Sequence, residues 1–316
     1  VTERPFFYAL NLEAGYRYSD YSTVGGVHAY KAGADWAPVR GVRFRGLYQR
    51  AVRAPNIYEL TAPPLSIIDN LDTDPCAGSN PVGNATLTQL CLDTGAPPSS
   101  IGNIPGPVSG QINAFAGGNL DLKAEKSDTY TVGVVINPPS IPRLSLSVDY
   151  FDITINNAID ALGGSPQNVV NGCYLITQDI NSDYCQAISR NTLTGSLSGA
   201  IQFGVDQAFA NSAFLQTKGI DVAAGYAHDI GSGSISFQFN GTYLDSYKKK
   251  GDEFAPATQC AGKFGFACNL APMPRWKHVA SATYDFGGVA LMGRWRYIGK
   301  VSQDAGTDIL VSSIKA

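Results

Sequence analysis

The chain is 316 residues long, and its 23 basic and 26 acidic residues give a formal net charge of −3. Only 16% of the residues are charged while 44% are hydrophobic, so the chain carries less charge than an average soluble domain. The near balance of charge excludes the basic surface by which nucleic-acid-binding proteins displace counterions. The longest uninterrupted apolar run, Phe6 to Leu10, has five residues, whereas a membrane-spanning helix needs about 20.

A membrane-spanning β-barrel reconciles low charge with short apolar runs, because its strands alternate apolar and polar residues. The sequence shows this alternation in segments longer than the usual strand. It is strict over 8–19, 144–150, 234–243 and 289–297, and weaker over about 27–37, 41–53, 126–137, 215–228 and 276–286. We therefore predict an all-β protein with nine strands, the start of a tenth at Ile309–Ala316, and at most one short helix within 166–190.

The connections between these strands alternate between short and long. Short connections, rich in the Pro, Gly or Asp that turns require, lie at 37–41, 137–142, 228–233 and 286–288. The others are a modest one at 19–26 and three very long ones at about 54–125, 157–214 and 247–275. In an antiparallel meander all long loops then lie at one end, as in outer-membrane barrels with long extracellular loops. A soluble β-sandwich or lectin is the alternative, but its strands are shorter and its insertions fall at both ends.

Charged residues of the strands lie on the polar faces. A charge that faced lipid at the bilayer midplane would cost about 2–4 kcal/mol. We therefore expect the polar faces to line a wet lumen or contact an internal plug, and aromatic residues near strand ends to form girdles at the headgroup level. The candidate lumen- or plug-facing residues are Glu13, Arg43, Arg45, Asp149, Asp221, Arg294 and Arg296.

Each of the three long loops contains two of the six cysteines. Pairing within a loop would restrain the unfolded chain by roughly 2.5–3 kcal/mol per bridge, by chain-entropy arithmetic. Disulfides persist outside the cytosol, so the long loops should face an oxidising compartment. Zinc binding fits less well, because the spacings exceed those of structural zinc sites and no histidine is near. The predicted bridges are Cys76–Cys91, Cys173–Cys185 and Cys260–Cys268.

No group of residues in the sequence forms a recognisable catalytic, cofactor or metal site. His28, His228 and His278 are scattered among strands, and neither a nucleophile elbow nor a Walker loop occurs. The segment Asp69–Asp74 lacks the spacing and the central glycine of a calcium loop. We therefore expect neither enzyme activity nor a cofactor. Lys248–Lys250, at the long-loop end of a strand, should be solvated or contact anionic lipopolysaccharide.

Three short motifs bracket the long loops. An Arg-Ala-Pro followed by Glu-Leu stands where a strand enters the first loop, an Asn-x-x-Leu-x-x-Glu-x-Ser precedes the next strand, and Thr217-Lys-Gly-Ile-Asp221 follows the second loop. In this order they resemble TonB-dependent outer-membrane receptors, although Ala124 replaces the usual Pro of the second motif. The positions that carry the resemblance are Arg53, Ala54, Pro55, Glu59, Leu60, Asn119, Leu122, Glu125, Ser127 and Gly219.

The resemblance implies a transmembrane antiparallel barrel of 22 strands with an N-terminal plug domain, located in the bacterial outer membrane and energised by the TonB complex through the plug. Residues 1–316 would then be part of a single barrel domain, with about nine or ten of the 22 strands and without the plug or the terminal strands. The implied function is import of a scarce small nutrient: a ferric siderophore, vitamin B12 or an oligosaccharide. A passive porin-like or adhesin barrel is the alternative, which the absence of an upstream plug would favour.

Overall fold

The computed structural model describes residues 2–199, 201–252, 254–268, 270–304 and 313–314. Strands dominate it. They are β1 Thr2–Arg4, β2 Phe7–Tyr21, β3 Gly25–Val39, β4 Val42–Arg53, β5 Leu65–Asn70, β6 Gln111–Ala116, β7 Glu125–Ile136, β8 Ser145–Ala161, β9 Ile188–Ser189, β10 Gly204–Asp206, β11 Phe209–Ile230, β12 Gly233–Lys250, β13 Thr258–Gln259, β14 Lys263–Phe264, β15 Trp276–Phe286, β16 Val289–Ile298, β17 Val301–Gln303 and β18 Ser313–Ile314.

Helices are short and lie in the connections. They are α1 Ile57–Thr61, α2 Ala85–Asp93, α3 Pro166–Asn171 and α4 Asp183–Gln186, with 3₁₀ turns at Pro98–Ser100, Leu162–Gly164 and Phe266–Cys268 and a π-helical turn at Gly172–Thr177. The region 166–190, predicted to hold at most one short helix, contains both α3 and α4. Within the part of the chain that the structure describes, no helix is long and apolar enough to cross a membrane.

The nine predicted strands are present and form one antiparallel meander. Their order is β2-β3-β4-β7-β8-β11-β12-β15-β16, with β1 beside β2 and β13 beside β12, so that eleven described strands share one sheet. The edges are β1 and β16, and the described strands do not close into a complete barrel. The prediction of a partial antiparallel barrel is confirmed.

Several strands extend further toward the long loops than predicted. Strand β8 continues to Ala161, β11 begins at Phe209, and β12 includes Lys248–Lys250. Lys248 and Lys249 pair with residues of β13 as well as β11. In β8 the apolar residues change face toward the long loops, where Phe151, Ile153 and Ile155 alternate with Asp152 and Thr154. The pattern of 144–150 therefore does not continue in phase, while the backbone ladder does.

The predicted tenth strand, Ile309–Ala316, lies mostly outside the described residues. Its described part, β18, pairs with β17, which in turn pairs with β14 of the third long loop. These three strands form a separate small sheet. For β18 the expectation of another strand in the meander is therefore wrong, because the backbone after β16 hydrogen-bonds to the third loop.

Strand register defines two contrasting faces of the meander. Phe44, Val134, Val148 and Val222 are direct cross-strand neighbours in one row, on what we call the apolar face. The adjacent row, which points the opposite way because side chains alternate, contains Arg45, Gly133, Asp149 and Asp221. We call this the charged face.

The first and second long loops fold together into one unit, which we call the loop body. Strands β5 and β6 of the first loop and β9 and β10 of the second form one four-stranded sheet, joined by the parallel pair β6–β10. Its core is built from both loops: Leu71, Cys76, Leu87, Leu90, Cys91, Ala96, Ile104, Ile112, Val169, Val170, Cys173, Tyr174, Tyr184, Cys185, Ile188, Leu197 and Val205. Such short segments have no readable periodicity, so sequence reasoning treated these loops as separate.

Candidate functional site

The charged face of the meander borders a cavity of about 1110 Å³. Its lining comes from β2, β3, β4, β7, β8, β11, β12, β15 and β16. Two of the predicted lumen- or plug-facing residues, Arg43 and Arg294, do not line this cavity. Arg43 forms an ion pair of 3.5 Å with the lining residue Asp35. Arg294 lies on β16, two positions before the lining residue Arg296. The other five line the cavity: Glu13, Arg45, Asp149, Asp221 and Arg296.

A bidentate ion pair crosses the cavity wall between β4 and β8. Arg45 Nε and Nη2 donate to Asp149 Oδ1 and Oδ2 at 2.7 and 2.6 Å. The strand between them, β7, places Gly133 opposite both residues. A Cβ on Gly133 would lie 1.9 Å from Asp149 Oδ1. Glycine at this position therefore lets the two side chains meet across an intervening strand.

Charge is distributed unevenly around the cavity. Glu13 pairs with Lys31 at 2.9 Å, and Asp221 accepts a hydrogen bond from Thr242 at 2.7 Å. On β15 and β16, Lys277 and Arg296 line the same cavity but have no carboxylate within 4.0 Å among the residues that the structure describes. The part of the cavity wall formed by β15 and β16 therefore offers cationic groups to which an anionic partner could bind.

An ion cluster forms where β4 leaves the meander and β7 joins it, a point we call the stem. Arg53 donates to both oxygens of Glu59, at 2.9 and 3.0 Å, and also to Glu125. Asn56 caps α1, since its Oδ1 accepts from Glu59 N and its own N–H donates to Glu59 Oε2. Burial raises the pKa of Glu59, but the hydrogen bonds from Arg53 and Asn56 outweigh it and leave the pKa below its usual value.

The second motif closes the stem from the other side. Asn119 N donates to Glu59 O, and Asn119 Nδ2 donates to Phe209 O, each at 2.9 Å. The preceding Gly118 approaches α1 so closely that a Cβ there would lie 2.5 Å from Ala62 N. The other positions of the two motifs lie close to these contacts along the chain. Three of them are buried: Pro55, Leu60 and Leu122. Ala54 directly follows Arg53, and Ser127 lies on β7 opposite Ala51 and Ile155.

Gly219, from the third motif, marks an irregularity in the meander. The register between β11 and β12 shifts between Lys218 and Gly219. A Cβ on Gly219 would lie 2.4 Å from Tyr243 O and 2.6 Å from the ring of Phe151. The glycine is thus required by a bulge that a neighbouring aromatic ring covers.

A buried polar network joins the two halves of the loop body. Arg190 donates to both oxygens of Asp74, at 2.8 and 2.6 Å, and its Nε donates to Tyr174 Oη at 2.9 Å. Tyr174 Oη lies 2.7 Å from Thr94 Oγ1, which donates onward to Leu90 O. Burial raises the pKa of Tyr174, while Arg190 and Thr94 partly oppose that rise. The sequence offers no signal for this network, because its members are separated by up to 116 residues.

The three predicted disulfides are present: Cys76–Cys91, Cys173–Cys185 and Cys260–Cys268. The first two lie in the core of the loop body, one in each contributing loop. In the third loop, Cys268 N donates to Asp304 Oδ2 at 2.8 Å, which fixes the loop to the segment after β16. Each long loop is therefore cross-linked within itself.

Comparison with known proteins identifies the family that shares this architecture. Residues 5–313 match the family described as TonB dependent receptor-like, beta-barrel. The chain belongs to this family. TonB-dependent receptors reside in the bacterial outer membrane. They are receptors and transporters, not enzymes, that bind small ligands such as siderophores and interact with TonB. The resemblance carried by the three motifs is thereby confirmed at the level of the family.

Two solved TonB-dependent receptors illustrate the structural likeness. The siderophore receptor PirA of Acinetobacter baumannii shares 15% identity and a TM-score of 0.54, over 92% of this chain and 31% of that one. The ferric enterobactin receptor PfeA of Pseudomonas aeruginosa, in complex with enterobactin, shares 16% identity and a TM-score of 0.56, over 93% and 31%. The chain thus spans less than a third of either receptor, and the likeness is one of fold. No curated protein gives a significant match.

The apolar face of this TonB-dependent receptor segment carries ion pairs that sequence reasoning missed. Arg50 pairs with Asp128 at 2.7 Å, Tyr48 donates to the same carboxylate at 2.8 Å, and Lys218 pairs with Asp152 at 2.8 Å. We call these residues the polar belt. They lie on the same face as Phe44 and Val134 but nearer the long loops, and charges on a lipid-facing surface become tolerable only near the interface. The belt therefore marks where the apolar band ends.

Proposed function

We propose that this chain forms part of the wall and the outer loops of a receptor that imports a scarce nutrient across the outer membrane with energy from TonB. The observation that carries the proposal is a cross-linked loop body with its own core, joined by the stem to strands whose charged face borders a cavity. A folded, cross-linked loop body preserves the shape of a ligand surface better than a flexible loop, because less conformational freedom is lost on binding.

Among nutrients, a ferric siderophore is the class that the observations favour over vitamin B12 or an oligosaccharide. The two solved structures described above are a siderophore receptor and a ferric enterobactin receptor. Lys277 and Arg296 give one side of the cavity cationic groups, which suit an anionic ferric chelate. The same groups, with Glu13, Arg45 and Asp149, are positioned to contact a plug domain through which TonB would act.

The orientation that we propose places the long loops outside the cell. The disulfides support it, since such bonds persist in oxidising compartments. The polar belt then lies at the outer headgroup level. Lys248–Lys250 lie beyond the belt at the end of β12, which pairs with the belt strand β11, and anionic lipopolysaccharide is the neighbouring lipid there. The short turns at the other end would face the periplasm.

The decisive experiment is uptake by cells that carry the full-length gene. We expect deletion of the gene to lower uptake of one iron-labelled siderophore in iron-limited medium, and loss of TonB to abolish the same uptake. Unchanged uptake of every siderophore, vitamin B12 and oligosaccharide tested would contradict nutrient import. Uptake that persists without TonB would instead support a passive porin-like barrel.

A further inference from the structure

The chain crosses four times between the meander and the loop body, and the stem binds all four crossings together. The first loop leaves the meander at the end of β4 and returns at the start of β7, and the second leaves at the end of β8 and returns at the start of β11. Glu125 of β7 accepts from Ile159 N of β8 at 2.7 Å and also from Arg53 of β4. Asn211 of β11 donates to Asn157 O at 3.1 Å.

At the centre of the stem one cation serves two carboxylates. The side chains of Glu59 and Glu125 are each 12% exposed, and both accept from the guanidinium of Arg53. Carboxylates with so little access to water need a paired cation. Among the residues that the structure describes, no other basic side chain lies within 4.0 Å of either carboxylate. The two glutamates are therefore held together by one arginine.

This arrangement fixes an angle as well as a distance. Glu59 lies on α1, the first element of the first loop, whereas Arg53 ends β4 and Glu125 begins β7. Two parallel hydrogen bonds from a planar guanidinium to one carboxylate hold the two groups in a single relative orientation. The third loop also meets the loop body, where the rings of Phe254 and Tyr184 pack at 5.6 Å between centroids. A contact between two rings constrains direction less than forked hydrogen bonds do.

The internal shape of the loop body does not depend on the stem. It is maintained by a core from both loops, by two disulfides and by the buried pair of Asp74 and Arg190. All of these features lie within the two loops themselves. The shape of the loop body and its orientation relative to the charged face are therefore separate properties, and the stem governs the second.

We propose that Arg53 is a positioning residue: by joining Glu59 to Glu125, it holds the loop body in the orientation in which the loop body and the charged face bind one ligand. The proposal rests on the proposed function, in which both surfaces belong to one receptor. A ligand that contacts both surfaces binds only the correctly oriented molecules, so its apparent affinity falls with their fraction. At saturation the ligand itself keeps the two surfaces in place, so the maximal rate of uptake does not depend on Arg53.

The orientation is measured without a ligand, by pulsed electron paramagnetic resonance of the full-length receptor. Unnatural amino acids carry the nitroxide labels, so that the native cysteines stay paired. One pair of labels is placed at Thr23, in the exposed turn between β2 and β3, and at Thr86, an exposed residue of α2. A second pair, at Thr86 and the exposed Leu193, lies wholly within the loop body. The first pair reports the orientation of the loop body, and the second reports its shape.

The variants differ in what they leave between the two carboxylates. Arg53→Gln removes the cation, while Arg53→Lys keeps the charge but lacks the planar fork. We expect Arg53→Gln to broaden the distribution of Thr23–Thr86 distances and Arg53→Lys to give an intermediate width. The Thr86–Leu193 distances should be unchanged in both variants. The matched control is Arg143→Gln, which removes an exposed arginine–carboxylate pair at the short-turn end of the meander and should leave both distributions as in the wild type.

Uptake by cells gives the functional readout, with the iron-labelled siderophore whose uptake is lowered by deletion of the gene. We expect Arg53→Gln to raise the concentration for half-maximal uptake roughly tenfold, as for a loop body that is correctly oriented in about a tenth of the molecules. The maximal rate should not change, and Arg53→Lys should lie between Arg53→Gln and the wild type.

Three results would overturn the proposal. The first is a Thr23–Thr86 distribution that is as narrow in Arg53→Gln as in the wild type. The second is a Thr86–Leu193 distribution that broadens as well, since Arg53 would then serve the folding of the loop body. The third is a lower maximal rate at an unchanged half-maximal concentration. If wild-type cells take up no siderophore, the proposed function is wrong, and the distance measurements still decide whether Arg53 orients the loop body.

Discussion

Arg190 is completely buried, and its guanidinium contacts groups from both loops of the loop body. Asp74, its partner, is 2% exposed at the side chain. Burying a charge is costly unless it is paired and hydrogen-bonded, so this pair disfavours any arrangement of the loops in which the two residues are apart. Its main effect is to specify which segments of the two loops lie together.

We expect Asp74→Asn to destabilise the loop body by about 3–5 kcal/mol, because it leaves the Arg190 charge buried without a carboxylate. Hydrogen exchange of the full-length receptor should show faster exchange in β5, β6, β9 and β10, with the meander unchanged. The matched control is Asp93→Asn, since Asp93 is exposed on α2 and bonds only to Gln89 among the described residues. Equal exchange in both variants would contradict a structural role for the buried pair.

At the scale of one strand, β8 shows how neighbouring residues meet different environments. Ser147 lines the cavity of the charged face, whereas Leu146 is on the apolar face and 37% exposed. Strand pleating sends consecutive side chains to opposite faces. The two residues therefore lie at almost the same depth in the membrane but should contact water or plug in one case and lipid in the other.

We predict that Leu146→Arg impairs assembly far more than Ser147→Arg. The first change places a charge in lipid at a cost of about 2–4 kcal/mol if it lies near the midplane, while the second adds a charge to a wet wall. Quantitative blotting of outer-membrane fractions compares the two variants. Equal yields would contradict the assignment of the two faces.

For the whole molecule, the long connections lie at one end of the meander. The loop body rises from the stem at that end, and the turns at the other end are as short as Gly287–Gly288 between β15 and β16. Such asymmetry is typical of outer-membrane barrels, whose two ends meet different compartments.

An epitope inserted after Asn80, at an exposed turn of the loop body, should bind antibody on intact cells. The same epitope after Gly287, an exposed residue of a short turn, should bind only after permeabilisation. The second insertion is the matched control, because both sites are surface turns. The reverse labelling would contradict the proposed orientation.

Much of the meander is predictable because period two is a local property. Residues such as Leu144, Leu146 and Val148 show the alternation without reference to any other strand. The disulfides are predictable for a similar reason, since each pair is 8 to 15 residues apart. The polar belt could not be predicted from the sequence. Its residues Asp128 and Asp152 occupy positions of the apolar face, and the sequence does not show how deep in the membrane a position lies.

The sequence by itself determined the antiparallel meander of long strands, which of its residues alternate between faces, and which cysteines are joined. These features depend on neighbours within one strand or one loop. Only the tertiary structure decided that two loops share a core around Asp74 and Arg190 and that Gly133 lets Arg45 reach Asp149. These depend on register and on contacts between distant segments, which local pattern does not contain.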